Sequence, residues 1–228
     1  RYIPVFASEI TLWEDTLEKN PDCPAAMQNL GLAYLLEGRL SDAEQVLTSA
    51  KEYDFDRYQS FNSLGLVFAR QNRDEDALTA FETSAFLNPG NEQAWLNLGN
   101  ILRRSSTSVP APNADPKDSS RASHVEGYSK QRYYYLRSML ANPNYAAAFA
   151  LGTLALENGN AFAGIFWFSE ATELRPHDLD AKFNLALSLQ LAQRREAALA
   201  ICEAILEQAP NDGPTIALLQ QLRDTETQ

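Results

Sequence analysis

Between Pro24 and Arg57 the apolar residues fall into two runs separated by a polar break. Met27, Leu30, Ala33 and Tyr34 recur at i, i+3, i+6 and i+7, which places them on one face of a helix. Gly38 stops that pattern, as glycine does just past a helix end. Ser41 then opens a second run, and Glu44, three residues on, completes a capping-box spacing. Ala43, Leu47 and Ala50 form the apolar stripe of this second run. The pattern predicts two short helices joined by a tight turn. Farther along, "NPGNEQAW" offers Asn91 as a helix cap after a Pro-Gly turn.

The same pair recurs. Gly31, Gly65 and Gly99 are spaced by 34, each preceded by leucine. Gly152 follows Leu151 and Ala186 follows Leu185, again 34 apart. A second register runs through Ala43, Ala77, Gly164 and Ala198, and a third through Leu47, Phe81, Tyr135, Phe168 and Cys202. Prolines close the units at Pro21, Pro89, Pro143, Pro176 and Pro210, with Phe55 in place of one of them. Glycine inside a helix costs roughly 0.5–1 kcal/mol against alanine. A recurring glycine therefore marks a place where a side chain would cost more, such as a close crossing of helices.

These residues resemble the tetratricopeptide repeat family, a 34-residue helix-turn-helix unit. Trp95, Leu98, Gly99 and Leu102 match the first half of its consensus, and Ala77, Phe81, Ser84 and Pro89 the second. The resemblance covers nearly the whole chain. It implies an all-α fold, a right-handed superhelix (α-solenoid) of about five repeats. The expected map is a leading half-repeat at 2–23, then repeats at 24–57, 58–91, 92–144, 145–178 and 179–212, and a closing helix at 213–223. "DTETQ" forms a tail.

The third repeat is too long, with 53 residues between Gly99 and Gly152. The excess lies in residues 105–127, rich in Ser, Pro, Ala and Asp, which predicts a flexible loop that a solenoid tolerates. It reads either as a tolerated surface insertion or as a partner-specific arm or modification site, since "RRSS" at 103–106 loosely resembles a basophilic kinase site. After it, Gln131 stands at the small-residue position and "YYY" occupies 133–135.

Charge narrows the possible partners. Thirty acidic and 19 basic residues give a net charge of −11, which disfavours nucleic acid and anionic membrane surfaces. Two cysteines, Cys23 and Cys202, make no disulfide framework. No apolar run reaches the length of a membrane span, so this segment is expected not to insert directly into a membrane. The chain starts at Arg1 and not at methionine, which implies a longer or processed product. His124 and His177 lack neighbours at ligand spacing, so neither a metal site nor a cofactor is expected. No phosphate loop or nucleophile motif is present, and no catalytic residue is assigned. The "DED" at 74–76 reads as dipole-favourable charge at a helix start, and Trp13 and Trp95 fall on core positions with Trp167 beside one.

The resemblance also implies that the first helix of each repeat lines a concave groove where ligand peptides lie. Asn29, Ser63, Asn97 and Asn184 recur at one position, Ala150 breaking the series, and resemble an asparagine ladder that holds a peptide backbone. Beside them are Asn62, Leu66, Leu96, Asn100, Arg103 and Arg104, then Phe149, Thr153, Phe183 and Leu187. The arginines could meet an acidic group. The carboxylate clamp for chaperone C-terminal tails is absent, since Gln28, Leu32, Ser63, Gln93 and Asn97 stand in its window. The function implied is that of a non-catalytic protein–protein interaction scaffold or adaptor that binds a peptide or protein. Self-association through exposed end repeats is a further possibility. Residues 9–40 also resemble the junction where repeat tails begin in membrane-embedded O-mannosyltransferase-like glycosyltransferases. That resemblance implies the alternative of a substrate-recruiting tail whose enzyme lies upstream. The adaptor reading favours the cytoplasm and the tail reading a periplasmic or lumenal location.

Overall fold

The computed structural model describes residues 9–53, 58–105 and 119–224. Phe55, part of the long insertion and most of the C-terminal tail lie outside them. Among the described residues the chain is built of twelve helices. In chain order they are α1 (Glu9–Lys19), α2 (Pro24–Leu36), α3 (Leu40–Tyr53), α4 (Tyr58–Arg70), α5 (Asp74–Leu87) and α6 (Glu92–Ser105). They continue as α7 (Ser119–Ala141), α8 (Tyr145–Glu157), α9 (Ala161–Leu174), α10 (Leu179–Leu191), α11 (Arg195–Gln208) and α12 (Gly213–Asp224).

The chain divides into two compact units, residues 1–134 and 135–228, with the division inside α7. In the first unit α2 packs on α3 and α4 on α5, and each second helix also leans on the first helix of the next pair. Leu30, Tyr34, Ala43, Leu47, Leu64 and Val67 form one core there. Phe81, Leu98, Ile101 and Tyr134 belong to another, which brings α7 against α5 and α6. In the second unit α8 pairs with α9 and α10 with α11, around Phe168, Leu185, Leu189, Cys202 and Leu222.

The glycine register and the aromatic register turn out to be two halves of one contact. Gly31 faces Leu47, Gly65 faces Phe81 and Gly152 faces Phe168. A Cβ on Gly65 would lie 2.5–2.8 Å from ring carbons of Phe81, and one on Gly152 would lie 2.9 Å from Phe168. Such distances are far inside van der Waals contact. Helix pairs cross this closely because the residue at the crossing has no side chain.

The turns within pairs repeat as well. At the end of α2 the backbone N–H of Gly38 donates to Leu35 O and that of Arg39 to Tyr34 O, at 3.2 and 2.9 Å, a Schellman arrangement with Gly38 at φ +77°. Asn72, Gly159 and Gln193 hold the same place after α4, α8 and α10, at φ +60°, +71° and +60°. Asn144, Asn160 and Asp178 cap α8, α9 and α10, accepting from the N–H groups of Ala147, Ala163 and Ala181 at 2.9–3.0 Å.

Three local expectations are corrected. Ser41 does not start a helix, because α3 begins at Leu40 straight out of the glycine turn, with Ala43 N–H donating to Arg39 O at 3.0 Å. Glu44 leaves the capping-box role and accepts from Gln71 Nε2 and Arg73 Nη1 of the following pair, at 2.9 and 2.8 Å. The segment expected as loop to 127 is helical from Ser119, since a helix packed through Gln131, Tyr134 and Tyr135 extends backward one hydrogen bond per residue. Asn91, expected to cap α6, lies directly before it, and its Nδ2 donates to Ser84 Oγ at 3.1 Å.

Candidate functional site

The first helices of successive pairs are neighbours within each unit: α2 touches α4, α4 touches α6, and α8 touches α10. All fourteen residues expected at a binding groove lie on these five helices.

In the first unit the polar positions are wired to one another. Gln28 on α2 donates through Nε2 to Ser63 Oγ on α4 at 2.7 Å, and Asn97 on α6 donates through Nδ2 to Asn62 Oδ1 on α4 at 3.3 Å. Each link spans 35 residues, one repeat and one position. Ser63 and Leu96 are buried, so they support the face from beneath and offer little contact surface. Asn29, Asn62, Leu66 and Asn97 are half-buried and Asn100, Arg103 and Arg104 are exposed. The Oε1 of Gln28 is buried and accepts no hydrogen bond among the described residues. Sequence reasoning passed over Gln28 as a link; the signal was its place 35 residues before Ser63.

The two arginines differ in character. Arg104 pairs with Asp74 of α5 and donates to Ala69 O at the end of α4, and Ser105 Oγ also donates to Asp74. The guanidinium of Arg104 beside Asp74 holds that carboxyl below its usual range. Arg70 makes the equivalent donation one repeat earlier, to Leu35 O at the end of α2. Arg104 is thus committed to the scaffold, and Arg103 beside it is exposed. At the neighbouring turn, burial opposes ionisation of Glu44, but its hydrogen bonds from Arg73 and Gln71 outweigh this and hold its carboxyl low.

In the second unit the face is apolar. Phe149 meets Phe168 edge-on, with centroids 5.4 Å apart, and lies 5.6 Å from Tyr145. Phe183 packs on the same core, and both phenylalanines and Leu187 remain half-exposed. Thr153 donates its hydroxyl to Phe149 O at 3.0 Å, and Asn184 donates to Asp180 O at 2.8 Å, which leaves the amide oxygen of Asn184 outside that bond. The first unit offers amides beside exposed guanidinium groups, and the second offers a hydroxyl and an amide beside aromatic rings. Among the described residues no group of three or more His, Cys, Asp or Glu comes together to hold a metal ion. None of the described helices is long and apolar enough to cross a membrane.

The sequence pattern of the tetratricopeptide repeat matches residues 10–57, 62–107 and 149–213. Comparison with curated proteins finds no match. Solved structures share the fold. YrrB, described as a TPR protein with an unusual peptide-binding site, is 18% identical with a TM-score of 0.65, over 90% of this chain and 96% of that one. PilW, a type IV pilus biogenesis factor, gives 16% identity and a TM-score of 0.68 over 91% and 87% of the two chains. PilF of Pseudomonas aeruginosa gives 13% identity and a TM-score of 0.68 over 93% and 86%.

Proposed function

Because the chain belongs to the tetratricopeptide repeat family, whose members typically mediate protein–protein interactions, we propose that it works as a non-catalytic adaptor that holds an extended peptide segment of a partner on its first-helix faces. The observation that carries this reading is the direct adjacency of α2, α4 and α6, and of α8 and α10. It spaces equivalent side chains one helix apart, so that successive polar groups meet successive stretches of an extended ligand. In the first unit Asn62, Asn97 and Asn100 would pair with peptide groups of the ligand, with Arg103 beside an acidic residue. In the second unit Phe149, Phe183 and Leu187 would take apolar side chains. The description of YrrB as having a peptide-binding site supports the same class of ligand here.

The test uses the full chain as bait in a native extract, with co-purifying proteins identified and the dominant partner re-tested as purified protein. Asn97→Ala combined with Asn184→Ala should weaken its capture at least several-fold. The melting temperature should fall by no more than about 8 °C, because the two substitutions give up one part-buried and one exposed hydrogen bond, each worth at most about 1 kcal/mol. Undiminished capture by a folded double variant overturns the peptide-holding role of these faces.

A further inference from the structure

The outer face of α9 carries a pattern that the peptide-holding role does not use. Phe162 and Phe166 are 64% and 54% exposed, one helical turn apart. Ser169 and Glu173 continue the same line, because residues spaced by three and four share a helix face. The ring of Phe166 meets Trp167 edge-on, with centroids 4.7 Å apart. At the other end, the exposed Arg194 places its guanidinium 5.7 Å from the Phe162 ring centroid. Read in order, the face is cation, aromatic, aromatic, small polar, carboxylate.

We infer that this face is a self-association surface, on which α9 of a second copy of the chain packs antiparallel. The argument is complementarity under a two-fold axis, which requires that a patch match its own inversion. With the axis at the middle of the line, Phe162 and its Arg194 meet Glu173 of the second copy, and Phe166 meets the small Ser169. Both matches then occur twice. Phe166 of one copy comes within one helical turn of Phe166 of the other, which buries both rings at the centre. A parallel arrangement would set Glu173 against Glu173 and Arg194 against Arg194, and repel. An exposed phenylalanine pair this size covers roughly 250 Å² per copy, taking about 200 Å² for each ring, well short of the ~800 Å² per partner of a stable interface. The pairing is therefore weak and fills with concentration.

The experiment is sedimentation equilibrium on the full chain from about 10 µM to about 1 mM. The wild type should rise from monomer toward twice the monomer mass. Phe166→Lys should lose the rise, with the association constant at least tenfold lower. Arg194→Glu should weaken association about five- to tenfold. Arg194→Glu combined with Glu173→Arg should return it to within about twofold of wild type, since the pair is restored with its signs exchanged. Circular dichroism melts check that each variant is folded; all these side chains are exposed, so none should fall by more than a degree or two. A wild type that stays monomeric throughout, a Phe166→Lys chain that associates like wild type, or a doubly exchanged chain no better than Arg194→Glu each overturns the proposal. The second of these outcomes points to association elsewhere, such as end-to-end stacking of repeats.

Discussion

Replacing Gly65 by alanine sets two effects of similar size against each other. Alanine favours a helix over glycine by about 1 kcal/mol, so propensity alone predicts a stabilised protein. Packing predicts the reverse. The new methyl would stand 2.5, 2.6 and 2.8 Å from three ring carbons of Phe81, whose side chain is 1% exposed. Carbon atoms rest at about 3.5–4.0 Å, so the ring or α4 must move by close to an ångström. Phe81 is locked among Ala77, Ala85, Leu98 and Ile101, and a shift of that size propagates into all of them. Overpacking of this kind costs about 1–3 kcal/mol and can cost more. The net expectation is a loss of up to about 2 kcal/mol, or a fall in melting temperature of up to roughly 8 °C for a chain of this length. The deciding arm is the same change in a Phe81→Val background, which removes every ring atom the methyl would meet. There Gly65→Ala should be neutral or stabilising. The assay is thermal and urea unfolding of all four proteins followed by circular dichroism, treated as a double-mutant cycle. If Gly65→Ala is no more destabilising with Phe81 in place than in the Phe81→Val background, the close-crossing account of the glycine register is wrong.

Other outcomes follow from particular residues. Gln193 sits at φ +60°, where a side chain costs roughly 1–2 kcal/mol. Against glycine's entropy cost of about 0.5–1 kcal/mol, Gln193→Gly should stabilise the protein by about 0.5–1 kcal/mol, visible as a rise of a few degrees; a fall in melting temperature would contradict the turn geometry. Tyr145 is pushed up to about 12, first by burial and then by its hydrogen bond to Asp178 and the negative charge of Asp178 and Asp180. A phenol whose folded value lies above its unfolded value of about 10 holds its proton longer in the native state. Its stabilising contribution is complete below pH about 10 and is lost as the pH climbs from there through about 12. Melting temperatures taken between pH 8 and 12 should therefore decline less steeply for Tyr145→Phe than for wild type, and parallel declines would remove Tyr145 from the account.

What could be read in the sequence is what repeats in the sequence. Gly31, Gly65 and Gly152, and Leu47, Phe81 and Phe168, appear as two independent registers, and their offset of 16 residues is the contact the structure makes between them. Gly38 was legible as a helix end because glycine is the strongest signal for a positive φ, with asparagine behind it. Asn72 and Gln193 adopt the same conformation with residues that carry little or no such signal, and the turn's own hydrogen bonds impose it on them. The role of Glu44 was hidden for a different reason. Its spacing to Ser41 satisfies a local rule, but its partners Gln71 and Arg73 come from the next pair, and a local pattern cannot rank a distant competitor. The start of α7 was missed because residues 119–127 have no apolar stripe, and the helix there is carried by the packed turns that follow. At the candidate site, positions on the first helices could be carried over from the repeat, but side-chain commitments could not. Arg104 reads as a free cation in sequence and is spent on Asp74 and Ala69 O in the fold.

The donations from Arg70 to Leu35 O and from Arg104 to Ala69 O run in one direction along the chain. During synthesis Leu35 O is held by its turn hydrogen bond from Gly38 N–H and gains its second donor only when the ribosome has added the 35 residues that end in Arg70, an interval of roughly 2–7 s. Ala69 O, held in its turn by Asn72 N–H, gains its second donor from Arg104 in the same way. The bond from Arg195 to Leu222 O runs the other way, so each of these three contacts closes only when its later partner has been made, 27 to 35 residues after the earlier one.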